Sequence, residues 1–463
     1  MSNHVLDDAP LTSFHKKLAL YSSGGPLLDG YILSIIGIAM VQITPQLNMT
    51  PMWEGLLGAS ALIGIFLGGA LGGYLTDRFG RQVLYTVDLI AIIGCSVAQF
   101  WATDVVWLFI LRLLIGMAVG ADYPIATSLL AEFTPRKYRG PFLGGLIVMW
   151  FVGATAAFFV GDLLLAIGPD GWRWMLLSPA IPATIFVLLR LGTPESPRWL
   201  LKKGRVNEAD AIIKEYYGPQ ACVADLEGEP EEKENLNVRV LFRGGYLGRI
   251  TYVTIFWTCA IVPLFGVYAF GPKILAALHL DGAESVGSAF ISLLFLIGCV
   301  VALLLVNRMG RRPLVIWSFL LSGIALLGLG FFPNANALVI LAFFAGYAVF
   351  LGGTQILTWV YPNELFPTEV RGTAVGVGSS LSRIGAAIGT YLIPISLAEL
   401  GIGATMLIGA AITFAGFLAS VLWAPETRGL ALHDAGKLTP AAARQPDQPA
   451  RNVPAAASQS DRP

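Results

Sequence analysis

The chain has 463 residues, a length at which a soluble protein would fold as two or three domains. Its composition points elsewhere: 55% of residues are hydrophobic, only 13% are charged and mean hydropathy is +0.69, whereas soluble domains carry roughly 25% charged residues. A net charge of zero gives no electrostatic case for nucleic acid. The four cysteines (Cys95, Cys222, Cys259, Cys299) have no paired spacing, which argues against a disulfide framework or a zinc site.

Residues 1–18 are polar and lack a cleavable signal pattern, so insertion is expected to rely on the first apolar span. A bilayer core of about 30 Å needs roughly 20 mostly apolar residues per helix. On that measure the sequence predicts spans near 19–43, 54–76, 82–101, 104–130, 138–164 and 172–193. A polar stretch at 194–246 follows, holding a short amphipathic helix from Arg205 to Tyr217 and an acidic run near Glu227–Glu234. It reads equally as a latch across the cytoplasmic mouth or as a plain tether. Six further spans are expected near 247–274, 284–306, 313–332, 335–361, 369–394 and 402–424. Residues 425–463 should form a cytoplasmic tail, largely disordered where it becomes rich in Ala, Pro and Gln.

The loops sort by charge. Lys16, Lys17, Arg78, Arg81, Arg136, Lys137, Arg139, the 195–246 stretch and Arg308, Arg311 and Arg312 fall on one side; little beyond Arg173 and Lys273 falls on the other. Positive charge stays on the cytoplasmic side. Both termini are therefore expected there, which requires an even span count, and twelve fits.

Three motif pairs recur at nearly constant separation. Asp77-Arg78-Phe79-Gly80-Arg81 matches Asn307-Arg308-Met309-Gly310-Arg311; Glu132 through Arg139-Gly140 matches Glu364 through Arg371-Gly372; Pro194-Glu195-Ser196 matches Pro425-Glu426-Thr427. Together they imply a duplicated six-helix unit, at 19–193 and 247–424, with both copies in the same orientation. Two such bundles rock around a site at the bilayer midplane. Acids and arginines at the helix ends could form ion pairs that hold the cytoplasmic side closed. The candidates for this gate are Asp77, Arg78, Arg81, Glu132, Arg139, Glu195, Arg308, Arg311, Glu364, Arg371 and Glu426. Topology signals and helix caps would account for the same residues.

These motifs carry a resemblance. Gly73 through Arg81 resembles the signature loop of the major facilitator superfamily. Pro194-Glu195-Ser196-Pro197-Arg198-Trp199-Leu200, Trp359 through Pro367 and Pro425 through Gly429 look like the sugar porters. Gly120-Ala121-Asp122-Tyr123-Pro124, with Glu132, and Asp29-Gly30-Tyr31 lean toward proton symporters for phosphate and organic acids. The resemblance covers about residues 14–430 and implies an all-α membrane fold, two pseudo-symmetric six-helix bundles of the major facilitator type. It is strongest to bacterial metabolite:proton symporters grouped with sugar porters. Departures bear on the solute. The seventh span, Ile255 through Phe265, has neither the Gln-Gln pair nor the Asn of hexose porters, and Ile261 stands about where phosphate symporters place an acid. The Gly-Pro turn that marks many drug antiporters is not evident in the fifth span.

An ionisable side chain at membrane depth is expensive unless it meets water or a partner, so each is a functional candidate. At about 1.5 Å per residue, Asp29, Asp122 and Arg383 all fall near the midplane. In the superfamily arrangement their helices line the central cavity, which would set two acids opposite one base. Asp122 and then Asp29 are the candidate proton carriers. Arg383 is the candidate substrate anchor, because its fork gives a carboxylate or phosphate two parallel bonds. A permanent salt bridge between the halves is the alternative. Arg112 resembles the superfamily's fourth-helix arginine linked to proton transfer, and could equally be a buried hydrogen-bonding post. By analogy Tyr123, Trp150, Trp257, Gln355 and Trp359 line the cavity; aromatic faces with one polar tip suit small organic solutes.

No nucleophile–base pattern, metal spacing or phosphate loop appears, so neither an enzyme nor a cofactor is expected. The sequence thus predicts a monomeric secondary transporter in a bacterial inner membrane. Its partners would be a small polar or anionic metabolite, protons and the lipid bilayer. An uncoupled facilitator for a sugar-like solute and a transporter-like nutrient sensor are the competing readings.

Overall fold

The structure is a computed structural model that describes residues 10–223, 246–278, 284–366 and 368–428. The acidic run of the central stretch and the tail beyond residue 428 lie outside these residues. What is described is helical almost throughout, as a bilayer requires: with no water to satisfy backbone N–H and C=O groups, each apolar segment must bond internally.

In the first half, α1 (Ser13–Ser22) leads into α2 (Gly24–Gln46), followed by α3 (Pro51–Phe79), α4 (Arg81–Gln99), α5 (Val105–Phe133) and α6 (Arg136–Leu165). The sixth span is two pieces, α7 (Gly171–Leu177) and α8 (Ala180–Arg190), separated at Ser178-Pro179. Proline has no N–H to continue the ladder. Two short helices, α9 (Pro197–Lys202) and α10 (Val206–Tyr217), follow. The second half comprises α11 (Leu247–Ala277), α12 (Glu284–Met309), α13 (Arg311–Phe331), α14 (Ala337–Leu365), α15 (Thr368–Glu399) and α16 (Gly401–Trp423). Among the described residues, twelve spans are long and apolar enough to cross a membrane, as expected. Several helices outrun their apolar stretch: α3 and α14 continue into the motif-bearing ends.

The halves pack against each other through α3 with α15, α6 with α12, and α2 with α11. The closest approaches lie toward the end opposite the charged motifs. Gly37 of α2 faces the backbone of Tyr268 and Ala269 in α11, where a side chain would collide with carbonyl oxygens. Glu54 at the start of α3 pairs with Lys273 near the end of α11, and Thr155 of α6 meets Ser292 of α12 at 3.2 Å.

The amphipathic helix α10 does not lie across the mouth between the halves. It docks on the first half: the Tyr217 hydroxyl donates to the Phe133 carbonyl at 2.6 Å, and Tyr216 packs against Phe14 with ring centroids 4.0 Å apart.

Candidate functional site

A small cavity of about 50 Å³ lies between the halves. The first half contributes Pro26, Ala126, Leu146, Ile147, Trp150 and Phe151; the second contributes Trp257, Ile261, Leu264, Phe265, Gln355, Thr358, Trp359 and Arg383. Five of the six residues expected to bind substrate, Trp150, Trp257, Gln355, Trp359 and Arg383, therefore share one space. The side chain of the sixth, Tyr123, lies outside the described residues. The Arg383 guanidinium sits 5.4 Å from the Phe265 ring centroid, a cation–π contact that holds a cation against an otherwise apolar wall. The Gln355 amide donates to the Ala260 carbonyl at 3.0 Å, which fixes its rotamer.

Neither acid expected to face Arg383 is on the cavity wall. Asp29 is fully buried behind Trp150, whose indole N–H donates to its carboxylate at 2.6 Å. The other face of this link reaches the second half: the Trp150 ring meets Tyr268 edge-on at 5.4 Å and Phe265 at 6.0 Å. Asp29 is thus linked to the cavity wall and to the opposite bundle through Trp150.

Asp122 belongs to a separate buried cluster within the first half. Arg190 at the end of α8 grips it with both guanidinium ends, at 3.0 and 3.3 Å, and also stands 3.7 Å from Asp88 of α4. The same guanidinium donates to the Tyr85 carbonyl at 2.7 Å and lies 3.5 Å over the Tyr85 ring. All three charged groups are buried. One cation against two acids leaves a charge that a single proton on either acid would balance. The picture of two acids opposite one base is thereby replaced. Counting residues set Asp122 and Arg383 at the same level; the structure instead places Asp122 beside Gly25 at the start of α2 and Arg190 at the end of α8, away from the cavity.

Arg112 of α5 is 1% exposed and donates to the Ile32 carbonyl at 3.3 Å. It bridges α5 to α2, and no ion pair of its own is described.

The charged motifs form matched devices within each half. The Glu195 carboxylate accepts from the Arg81 and Gln82 N–H groups at the start of α4, both at 3.1 Å. Glu426 does the same for Arg311 and Arg312 at the start of α13, at 3.0 and 3.1 Å. The turns are alike too: Gly80 and Gly310 have φ of 100° and 93°, a region open mainly to glycine. The second half adds an Arg311–Glu364 pair at 2.8 Å, with Thr427 donating to Glu364. Every one of these contacts stays inside one bundle. The Arg78 guanidinium is 5.4 Å from the Phe79 ring, and Arg308 accepts from Arg428 through its carbonyl at 2.7 Å. The side chains of Asp77, Glu132, Arg139 and Arg371 lie outside the described residues.

Sequence reasoning passed over Arg190, although a lone arginine in the apolar run Phe186-Val187-Leu188-Leu189-Arg190 carries the same signal as the membrane acids. It also passed over Phe265 and Thr358 in the wall, which nothing in composition separates from packing residues.

Twelve spans in two like halves around a shared cavity define a secondary transporter of the major facilitator type. The chain matches the family described as Sugar (and other) transporter over residues 13–438, and it belongs to that family. It is 43% identical to the metabolite transport protein YaaU of Escherichia coli, over 94% of this chain and 97% of that one. To the inner membrane metabolite transport protein YgcS of the same organism it is 38% identical, over 94% and 96%. The xylose transporter XylE from E. coli, in a partially occluded inward-open conformation, superposes with a TM-score of 0.79 at 23% identity, covering 91% of this chain and all of that one. The protein is a multi-pass membrane transporter for small metabolites and not an enzyme.

Proposed function

We propose that this transporter is a proton symporter of the bacterial inner membrane, taking up a small polar or anionic metabolite by alternating access between two rigid halves. The charged loop ends and both termini face the cytoplasm, in keeping with the positive-inside bias. Because the halves approach most closely at the opposite end, the conformation is inward-facing.

The observation that carries coupling is the Asp29–Trp150 bond. A carboxylate sealed behind a cavity-wall side chain that also packs on the opposite half can report its proton to both the solute and the interface. When the outer side opens and Trp150 parts from Tyr268, water reaches Asp29 and loads it; closure and inward opening release the proton. Asp122 and Asp88 around Arg190 form a second protonatable centre, whose charge sets how α4, α5 and α8 pack. Glu195, Glu426, Glu364 and the arginines they hold keep the cytoplasmic ends of each bundle rigid while the bundles rock. Membrane-buried acids count against an uncoupled facilitator.

The test is solute-evoked proton entry into liposomes carrying the purified protein, read by a trapped pH dye across pentoses, hexoses and organic acids. Wild type should acidify the lumen with a transported solute, and Asp29→Asn should abolish acidification while retaining solute exchange. Undiminished proton entry in both Asp29→Asn and Asp122→Asn would overturn the assignment.

A further inference from the structure

The second half holds a cleft of about 420 Å³, far larger than the cavity between the halves, at the end opposite the charged motifs. Val262, Pro263, Val267 and Ile274 of α11 form its back, and α15 and α16 form its sides. It runs from Leu400, at the join of α15 and α16, to Ile412. That is about 18 Å of helix at about 1.5 Å per residue, a little over half of a hydrocarbon core of about 30 Å. The cleft is thus about one leaflet deep. Leu392, Leu400 and Ile408 of its wall are exposed, so it opens on the outside of the bundle, where the acyl chains of a bilayer lie.

Its side chains are apolar apart from the rim, which carries Ser396, Glu399 and Thr405. The Thr405 hydroxyl donates to the Gly401 carbonyl at 2.8 Å, and the Ser396 and Thr405 hydroxyls are 2.7 Å apart. With the Thr405 hydrogen given to Gly401, Ser396 is the donor of that second bond. Neither hydroxyl has a hydrogen left for a guest, so the side chains of the rim offer acceptors and no donor. Glu399 is exposed, and its carboxylate has no ion-pair or hydrogen-bond partner among the described residues. A guest must therefore bring an apolar chain for the cleft and a cationic donor for the rim.

Lipid headgroups differ in how they meet a carboxylate. An anionic headgroup is repelled, a trimethylammonium carries charge but no N–H, and a primary ammonium brings both charge and donors. We propose that the cleft binds one acyl chain of a phosphatidylethanolamine, whose ammonium sits on Glu399. In the orientation given above, this lipid belongs to the outer leaflet. The chain lies along the back of α11, whose opposite face, with Ile261, Leu264 and Phe265, walls the central cavity. Pro263 and Pro272 interrupt the hydrogen-bond ladder of α11, and Phe270 leaves helical geometry at φ −131° and ψ 19°. A lipid in the cleft braces this weakened stretch from behind. The proposal needs neither proton coupling nor a particular solute.

The experiment is native mass spectrometry of the purified full-length protein in detergent, mixed in turn with phosphatidylethanolamine, phosphatidylcholine and phosphatidylglycerol of identical chains. The ethanolamine lipid should be held about five-fold more tightly than the other two, near the upper end for an exposed ion pair. Glu399→Gln should bring the three lipids level, and Glu399→Asp should keep part of the preference. Gly409 stands in the cleft wall, where an added Cβ meets its nearest neighbour, Leu326, at an ordinary 3.7 Å. Gly409→Leu should therefore fill the cleft and remove the tightly held lipid whatever its headgroup. Level retention in the wild type would overturn the proposal, and this comparison alone decides the matter should the variants misfold. A preference that survives Glu399→Gln, or a tight lipid that survives Gly409→Leu, would overturn it too. So would a dimer mass that Gly409→Leu returns to a monomer, since a second copy would then fill the cleft. The readout uses no solute and no gradient, so it fails separately from transport. Level lipid retention leaves symport standing, and absent proton entry leaves the lipid site standing.

Discussion

Arg190 shows how much one side chain can decide at membrane depth. Its guanidinium holds Asp122 in a two-point grip, touches Asp88 and donates to the Tyr85 carbonyl, all out of reach of solvent. Removing one member of a buried ion pair costs about 3–5 kcal/mol, mostly because the partner is left charged and unpaired. Arg190→Met is therefore expected to lower the unfolding midpoint of the detergent-solubilised protein sharply. Adding Asp88→Asn and Asp122→Asn on top of it should recover much of the loss, since removing the whole cluster is far milder than breaking it. A triple variant no more stable than the single one would show that Arg190 matters for packing rather than charge. Asp122 was legible in the sequence as a charge in an apolar span, but it sits against Gly25 at the start of α2 and Arg190 at the end of α8 rather than beside the cavity. Its partner was not legible: each residue turns the helix by about 100°, so a small error in register changes which neighbour a side chain meets.

At the scale of helices, two of the recurring motifs, the glycine turn and the Pro-Glu segment, meet as a helix cap in each half. In each half a glycine with positive φ ends one helix, and the first turn of the next is closed by a glutamate arriving from the Pro-Glu segment. A carboxylate satisfies two otherwise unpaired N–H groups there and complements the positive end of the helix dipole. Glu195→Ala and Glu426→Ala should each cost about 1 kcal/mol. Hydrogen exchange at the first amides of α4 or α13 should accelerate roughly five-fold, with no change in the other half. Slowed transport with unaltered exchange at those amides would mean that the glutamates act in gating rather than as caps. The duplication and the twelve spans could be read from motif spacing and hydropathy, which depend on local sequence. Whether a recurring acid bonds within its own bundle or across to the other depends on the packing of distant segments. The Asp29–Trp150 link, between residues 121 apart in the chain, was hidden for the same reason.

For the whole molecule, the question is what holds the two halves in this conformation. Toward the end opposite the charged motifs, α2 and α11 touch backbone to backbone at Gly37, an approach only a missing side chain permits, and apolar packing of α3 on α15 continues the seal. These contacts are neutral and will favour closure at any pH. The Glu54–Lys273 pair is different: it joins the halves by charge, with Glu54 buried and the Lys273 side chain 43% exposed. Half-exposed on one side, it is worth about 1 kcal/mol after solvent screening, or roughly a five-fold bias toward the closed outer end. Glu54→Gln should raise the outward-open fraction by about that factor, as read from the labelling rate of a cysteine placed at Ser292, which lies within the closed interface beside Thr155. Reversing both charges, Glu54→Lys with Lys273→Glu, should return labelling close to the rate of the parent. A five-fold rise in Glu54→Gln that the reversed pair fails to correct would place the effect in local packing at the start of α3. No rise at all would leave the glycine contact and the apolar seal as the whole of the outer gate.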